Sequence, residues 1–333
     1  MTTGTDLALL LETVIAPADS GFNVVPIPGA ENYRIGRGLN GALVLLTPAD
    51  EDPEPPTRLR RLSLDPNLRC TLGVPDAAGP GEEGDFGVVQ FQVDDQALVP
   101  PFLDVVAALV RLLGPDPAPG EVSSGMRRLV RLFAANAAMR GSVLGLWAEI
   151  LAIVESTVPA TLVDAWHAHV DARFDFSAPG SRLEVKATTR DLRVHQFSLP
   201  QLEPVAGSAV TVLSIMTTET HAGTSIGQLV ARLEHLLAGD AARQMKVHEQ
   251  VADVLGADWP NHLEHRFDEQ QAHESALLLP AGDIPRVDAA DPAILEVKLK
   301  VDCTDVEPDP APSGLAALIS STLVAEAVAE EQT

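Results

Sequence analysis

The apolar residues change their spacing near residue 95, and that change divides the chain. Before it lie short runs of Val, Ile, Leu, Phe and Tyr at 22–27, 32–35, 42–47, 68–74 and 86–93. Gly, Pro and acidic stretches at 51–56 and 75–84 separate them. Short apolar runs punctuated by turn formers predict a strand meander. The N-terminus departs from this: MTTGTDLALLLETVIA is apolar, interrupted by Glu12, with no basic leader residues. It predicts an amphipathic helix rather than a signal peptide.

From Asp95 onward the spacing is helical over 97–113, ending at Gly114 and the breaker run PDPAPG. Ser123 or Ser124 can cap a second helix carrying Met126, Leu129, Val130, Leu132 and Phe133. A third helix over 143–156, VLGLWAEILAIVES, is apolar nearly all round, which predicts burial. Glu149 inside it is then either a paired or a functional carboxylate. Further on come a strand at 192–197 and a continuous apolar run at 209–216, expected of a strand buried on both faces. Ser225 and Gln228 form a capping-box pair opening a helix through Leu237, and 243–255 is another helix stopped by Gly256. A polar, His-rich stretch at 258–274, a strand at 293–301 and a terminal helix at 313–330 complete the pattern. The fold class is α/β: a β-rich domain at 1–95, for recognition or partner binding, then a domain at 96–333 with a helical connector and a mixed-sheet core.

Composition narrows the class. Apolar residues make up 46% and charged residues 21% of 333, as in a globular rather than a disordered chain. No apolar run approaches the roughly 20 residues of a membrane span, so no membrane is expected. Cys70 and Cys303 stand far apart, which excludes a disulfide framework or zinc cluster and places the chain in a reducing cytoplasm. The net charge of −24 argues against loose binding to nucleic acid, whose phosphates attract basic surfaces. Basic residues nevertheless cluster, as Arg58, Arg60 and Arg61 and as Arg127, Arg128 and Arg131, leaving room for a local positive groove.

The chemistry concentrates in FDFSAPGSRLEVKA, residues 174–187. With 178–181 as the turn of a hairpin, Ser177 pairs with Arg182, Phe176 with Leu183, and Asp175 faces Glu184. Alternation along the strand puts Glu184 and Lys186 on one face and Leu183 and Val185 on the other. Two opposed carboxylates repel. A hard divalent cation removes that conflict, and a lysine beside it can orient a water and stabilise charge on phosphorus.

Asp175, eight intervening residues, then Glu184-Val185-Lys186 resembles the PD-(D/E)XK nuclease superfamily. A wider series in the same order is Gly145-Leu146-Trp147-Ala148-Glu149, Trp166-His167, Phe174-Asp175-Phe176, Glu184-Val185-Lys186 and Ser198-Leu199-Pro200-Gln201-Leu202. It is similar to a bacterial family of PD-(D/E)XK motif proteins encoded near restriction-modification and phage-defence genes. Where that family is expected to carry Gly-Glu-Leu, this chain has Ala148-Glu149-Ile150, which keeps the Glu. The resemblance implies a restriction-endonuclease-like core at about 141–240 and a Mg²⁺-dependent DNA endonuclease, with Mn²⁺ as a substitute. Asp175 and Glu184 become metal ligands, the Val185 carbonyl completes the site, and Lys186 is the catalytic lysine. Glu149 would hold a second metal or its water, and Gln201 a phosphate or Lys186, unless it only caps a helix. Partners expected on this reading are DNA, a defence-system ATPase or methyltransferase, and a second copy of the chain. Two alternatives stand: a silent or partner-dependent nuclease fold, and an acidic DNA mimic or scaffold.

Other candidates are bland. Leu295-Glu296-Val297-Lys298 repeats the Glu-x-Lys spacing, but Asp291 lies too near for the same pairing and Pro292 intervenes. His167 and His169, or His262 and His265, lack a third ligand nearby and read as solvated. His195, beside the hairpin, is a strand histidine or a general base. Trp147 and Trp166 read as core.

Overall fold

The computed structural model describes residues 2–18, 21–51, 53, 55–59, 61–72, 82–133, 141–167, 173–256, 259–288, 294, 296–319 and 323–324. The chain divides into two units, 1–139 with 251–261, and 140–250 with 262–333. Residues 96–139, grouped with the second domain in the sequence reading, lie in the first unit.

The apolar runs of the first unit become strands because each is bounded by turn formers. They are β1 (Phe22–Ile27), β2 (Ala30–Gly38), β3 (Leu43–Pro48), β4 (Thr57–Arg58), β5 (Leu62–Leu72) and β6 (Glu82–Phe91). Their order is β1-β2-β3-β6-β5-β4, antiparallel throughout. β3 lies inside the sheet, and its residues LVLLT are all buried. The helices of this unit include α1 (Gly4–Glu12), opened by a Thr3–Asp6 capping box, α2 (Val99–Leu113) and α3 (Glu121–Leu132). Phe91 stacks on Phe102 at 4.5 Å, and Phe133 lies edge-on to both. Trp259 packs against Phe133 and donates to the Leu132 carbonyl at 2.9 Å. Among the described helices, one stretch, Gln96–Leu113, is long and apolar enough to cross a membrane, but 61% of it is buried inside the fold as core.

α3 starts earlier than its serines suggested. Ser123 and Ser124 lie inside the helix, and the cap comes from a distant carboxylate: Asp50 accepts from Gly120 N at 2.7 Å and Ser123 N at 2.8 Å. A carboxylate at a helix N-terminus satisfies orphan N–H groups and the helix dipole together. Arg58 and Arg61 pair with Asp65 and Asp94, Arg127 and Arg128 have partners, and Arg60 lies outside the described residues.

The second unit holds α4 (Val143–Val154), α5 (Pro159–Ala165), β7 (Phe176–Ala178), β8 (Ser181–Thr188), β9 (Val194–Ser198), α6 (Leu199–Leu202) and β10 (Ala209–Met216). These are followed by β11 (Glu219–Ser225), α7 (Ile226–Leu236), α8 (Ala241–Leu255), α9 (Trp259–His262), β12 (Arg266–Phe267), α10 (Glu269–Ser275), β13 (Leu277–Pro280) and β14 (Lys298–Asp302). The unit boundaries cut α8 after 250 and α9 after 261. The central sheet runs β13-β10-β8-β7, with β8 and β10 parallel and both outer strands antiparallel to their neighbours. β9 pairs with β14, and β11 with β12. α4 packs against β8 and α7, so residues 146–154 of its nearly all-apolar sequence, Glu149 included, are buried as expected. The class is α/β with a mixed sheet flanked by helices, as the sequence predicts.

Of the terminal helix expected over 313–330, residues 320–322 and 325–330 lie outside the described set. Among the described residues of 313–330 there is only a single tight turn, Ala316–Leu318. Gly314 takes a positive φ of 61°, and Leu315 N–H donates to the buried Ser181 Oγ at 2.9 Å. Burial of Leu315, Ala316 and Ile319 against the second unit outweighs their weak helical preference. The last strand is Lys298–Asp302 rather than 293–301; residues 293 and 295 lie outside the described set.

Candidate active site

The site begins with a tight hairpin. Gly180 adopts φ 73°, a conformation open to glycine, in the turn joining β7 to β8. The register is Phe176 with Leu183, Ser177 with Arg182 and Ala178 with Ser181. Asp175 directly precedes β7, and the backbone then ties the two acids across the hairpin. Val185 N–H donates to Asp175 Oδ2 at 2.7 Å, and Asp175 N–H donates to Glu184 Oε2 at 3.3 Å.

Glu184 is 1% exposed. Its Oε1 meets Lys186 Nζ at 2.6 Å and Gln201 Nε2 at 2.5 Å. Lys186 also sits over the Phe197 ring, 5.5 Å from its centre. Gln201 does two jobs. Its Oε1 accepts from Ser198 N–H at 2.9 Å in the capping box of α6, which fixes the side chain so that its amide reaches Glu184. The amide also approaches the Arg173 carbonyl at 3.4 Å.

Glu149 comes from α4. Its Oε2 accepts from Trp166 Nε1 at 2.7 Å and meets His167 Nε2 at 2.9 Å. Trp166 is fully buried, and a buried indole N–H needs an acceptor. That requirement is the signal the sequence reading missed when it took Trp166 as plain core and His167 as solvated. His169 lies outside the described residues.

Glu149, Asp175, Glu184 and Lys186 line one polar cavity of about 420 Å³. Val185, His195, Arg190 and Lys300 line it too. Arg190 and Lys300 are exposed and make no ion pair among the described residues, and the sequence reading missed both. Two larger cavities, of about 820 Å³ and 690 Å³, have mainly apolar walls and bring no carboxylates together with a lysine.

Charge crowding marks the site. Burial, then the charges of Glu184 and Glu149, push the Asp175 carboxyl well above its usual range. Burial also raises Glu184; Lys186 opposes that, and Glu149 adds to it. For His167 burial works downward, but the hydrogen bond and charge of Glu149 outweigh it and hold the imidazole above its ordinary value. His195 goes the other way, to about 4, through burial and the neighbouring Arg193 and Lys186. It is 3% exposed and bonded to Ser214 Oγ at 2.6 Å.

The remaining sequence candidates lie elsewhere. Glu296 and Lys298 pair with each other at 3.0 Å on the surface. His262 and His265 stack, and His265 pairs with Glu219 at 3.0 Å. Glu155 and Glu269 converge near His273, but both already pair with Arg232, at 2.9 and 2.5 Å.

A DUF4420 family model, described as "Putative PD-(D/E)XK family member", matches residues 16–304. The chain belongs to this family. The match runs from before β1 to beyond β14 and so includes residues of both units. No curated protein and no solved structure matches the chain.

The members of this site fit a divalent metal. Glu149, Asp175 and Glu184 offer hard oxygen donors, and Glu149, His167 and Asp175 place one ligand atom each within 4.8 Å of one another. Glu149 Oε1 and Asp175 Oδ1 have no hydrogen-bond partner among the described residues. Crowded carboxylates with open oxygens and mutual repulsion are what a cation stabilises.

Proposed function

We propose that this chain is a divalent-cation-dependent DNA endonuclease, hydrolysing phosphodiester bonds in a bacterial restriction or anti-phage defence system. The observation that carries the reading is the convergence of Asp175, Glu184 and Lys186 in one polar cavity, with Glu149 on its wall. Asp175 and Glu184 would hold Mg²⁺ or Mn²⁺, with Glu149 close by. Bound there, the cation would acidify a water and offset charge gathering on phosphorus.

The chain's own residues do the rest. Lys186 lies 2.6 Å from Glu184 and is 20% exposed, where its Nζ can donate to a phosphate oxygen or an attacking water. Gln201 holds the Glu184 carboxylate in one orientation. The backbone N–H of Val185 does the same for Asp175. Arg190 and Lys300, on the cavity wall and exposed, suit contacts with flanking phosphates. A local basic rim reconciles DNA binding with a net charge of −24, because phosphate contacts act over about a Debye length, ~8 Å at physiological salt.

The test is purified chain with single- and double-stranded DNA in Mg²⁺, Mn²⁺ or EDTA, beside Lys186→Ala and Asp175→Ala. Cleavage should need the cation and fall at least about 100-fold in each variant. Unchanged cleavage in either variant overturns the site. Cleavage by none of the proteins overturns activity of the isolated chain and favours a partner-dependent subunit.

A further inference from the structure

His167 is one of two non-glycine described residues with positive φ, at 39°. For an L-residue this left-handed geometry costs about 1–2 kcal/mol, so the surroundings must hold it. Two backbone contacts do so. Trp166 bridges to Phe176, and His167 N–H donates to the Asp175 carbonyl at 2.8 Å. The chain after α5 is thereby pinned to the start of the hairpin. The imidazole follows from that geometry, with Nε2 at 2.9 Å from Glu149 Oε2.

That separation has two chemical readings. A shared proton gives it. Two adjacent ligands on one octahedral ion give it as well, since bonds of about 2.1 Å at right angles set donors about 3 Å apart. Three facts favour the ion. One ligand atom each from Glu149, His167 and Asp175 lies within 4.8 Å of the others. Glu149 carries both its hydrogen bonds on Oε2, which leaves Oε1, accessible rather than buried, open to an ion. Trp166 Nε1 already supplies the hydrogen bond that fixes the carboxylate, at 2.7 Å, so His167 is not needed for that purpose.

We propose that Glu149, His167 and Asp175 form a mixed nitrogen and oxygen cation position beside the Asp175–Glu184 pair, and that its imidazole selects Mn²⁺ over Mg²⁺. The inference rests on the reading of the cavity as a metal centre. An imidazole is a softer donor than a carboxylate, and first-row divalent ions take it more readily than Mg²⁺ does.

The experiment is electron paramagnetic resonance of the EDTA-stripped full chain titrated with Mn²⁺, followed by spin-echo modulation to detect nitrogen bonded to the ion. The wild type should show nitrogen modulation. His167→Gln should lose it and bind Mn²⁺ at least about 10-fold more weakly, with Mg²⁺ affinity by calorimetry changed far less. Mn²⁺ bound without nitrogen modulation in the wild type, or modulation retained in His167→Gln, overturns the imidazole ligand and leaves the metal centre standing. No Mn²⁺ binding by the wild type overturns both. The wild-type spectrum decides the ligand even where the variant folds poorly.

Discussion

Replacing Asp175 by Asn should make the protein more stable while removing a ligand of the proposed metal site. The carboxylates of Glu149 and Asp175 have oxygens within 4.8 Å. Two unit charges at that separation repel by about 3 kcal/mol at an effective dielectric near 20. Glu184 adds to this, although Lys186 at 2.6 Å balances much of its charge. Asn keeps an oxygen to accept from Val185 N–H, giving up about 1 kcal/mol as a charge-assisted bond becomes a neutral one. The net gain is about 2 kcal/mol, or about 4–8 °C in Tm for a unit of this size. The pH dependence has a fixed sign. The folded state holds the Asp175 proton more tightly than the unfolded chain does, because the folded carboxyl is raised. Wild type therefore loses this share of stability as pH rises from about 4 through the raised folded value, and the variant does not. Thermal melts from pH 4 to 8 without metal should show the variant's advantage widest at pH 8 and vanishing near pH 4. An unchanged or lower Tm at pH 8, or a gap that widens toward acid, would refute the repulsion argument.

Two further predictions concern other parts of the chain. His195 is buried with its value lowered to about 4, so the unfolded chain binds its proton first as pH falls. Its contribution is complete above about 6.5 and lost down to about 4, amounting to roughly 3 kcal/mol. His195→Asn should flatten the pH dependence of urea unfolding over that window, and an identical slope in both proteins would exclude it. In the N-terminal sheet, a Cβ on Gly36 would stand 1.9 Å from the Asn23 carbonyl oxygen, which is backbone and cannot swing away. Gly36→Ala should destabilise by about 2 kcal/mol or more, and a midpoint within error of wild type would refute that packing.

Much of the geometry of the candidate site was legible in the sequence because its signals are local. The turn at 178–181 sets the pairing of Phe176 with Leu183, and strand alternation then places Asp175 near Glu184 and Lys186 on the same face as Glu184. The mainly apolar stretch at 209–216, interrupted by Thr211 and Ser214, points to a strand buried on both sides, and it is the strand parallel to β8. A helix apolar all round must be interior, so α4 and its Glu149 were found the same way.

What the tertiary structure decided is which distant groups share those surroundings. Asp50 caps α3 from 70 residues away, so no reading of the local serines could place that helix start. The C-terminal residues Leu315 and Ile319 have helical spacing, yet they follow the burial on offer rather than their propensity. Around Glu149, nothing in the spacing of Trp166 and His167 reveals that their rings converge on one carboxylate; the positive φ of His167 and its hydrogen bond to Asp175 create that contact. Local pattern determines which residues lie on a strand or a helix face, because the backbone repeats every two or 3.6 residues. Long-range packing determines which charges meet, because only the closed fold excludes the water that would otherwise separate them.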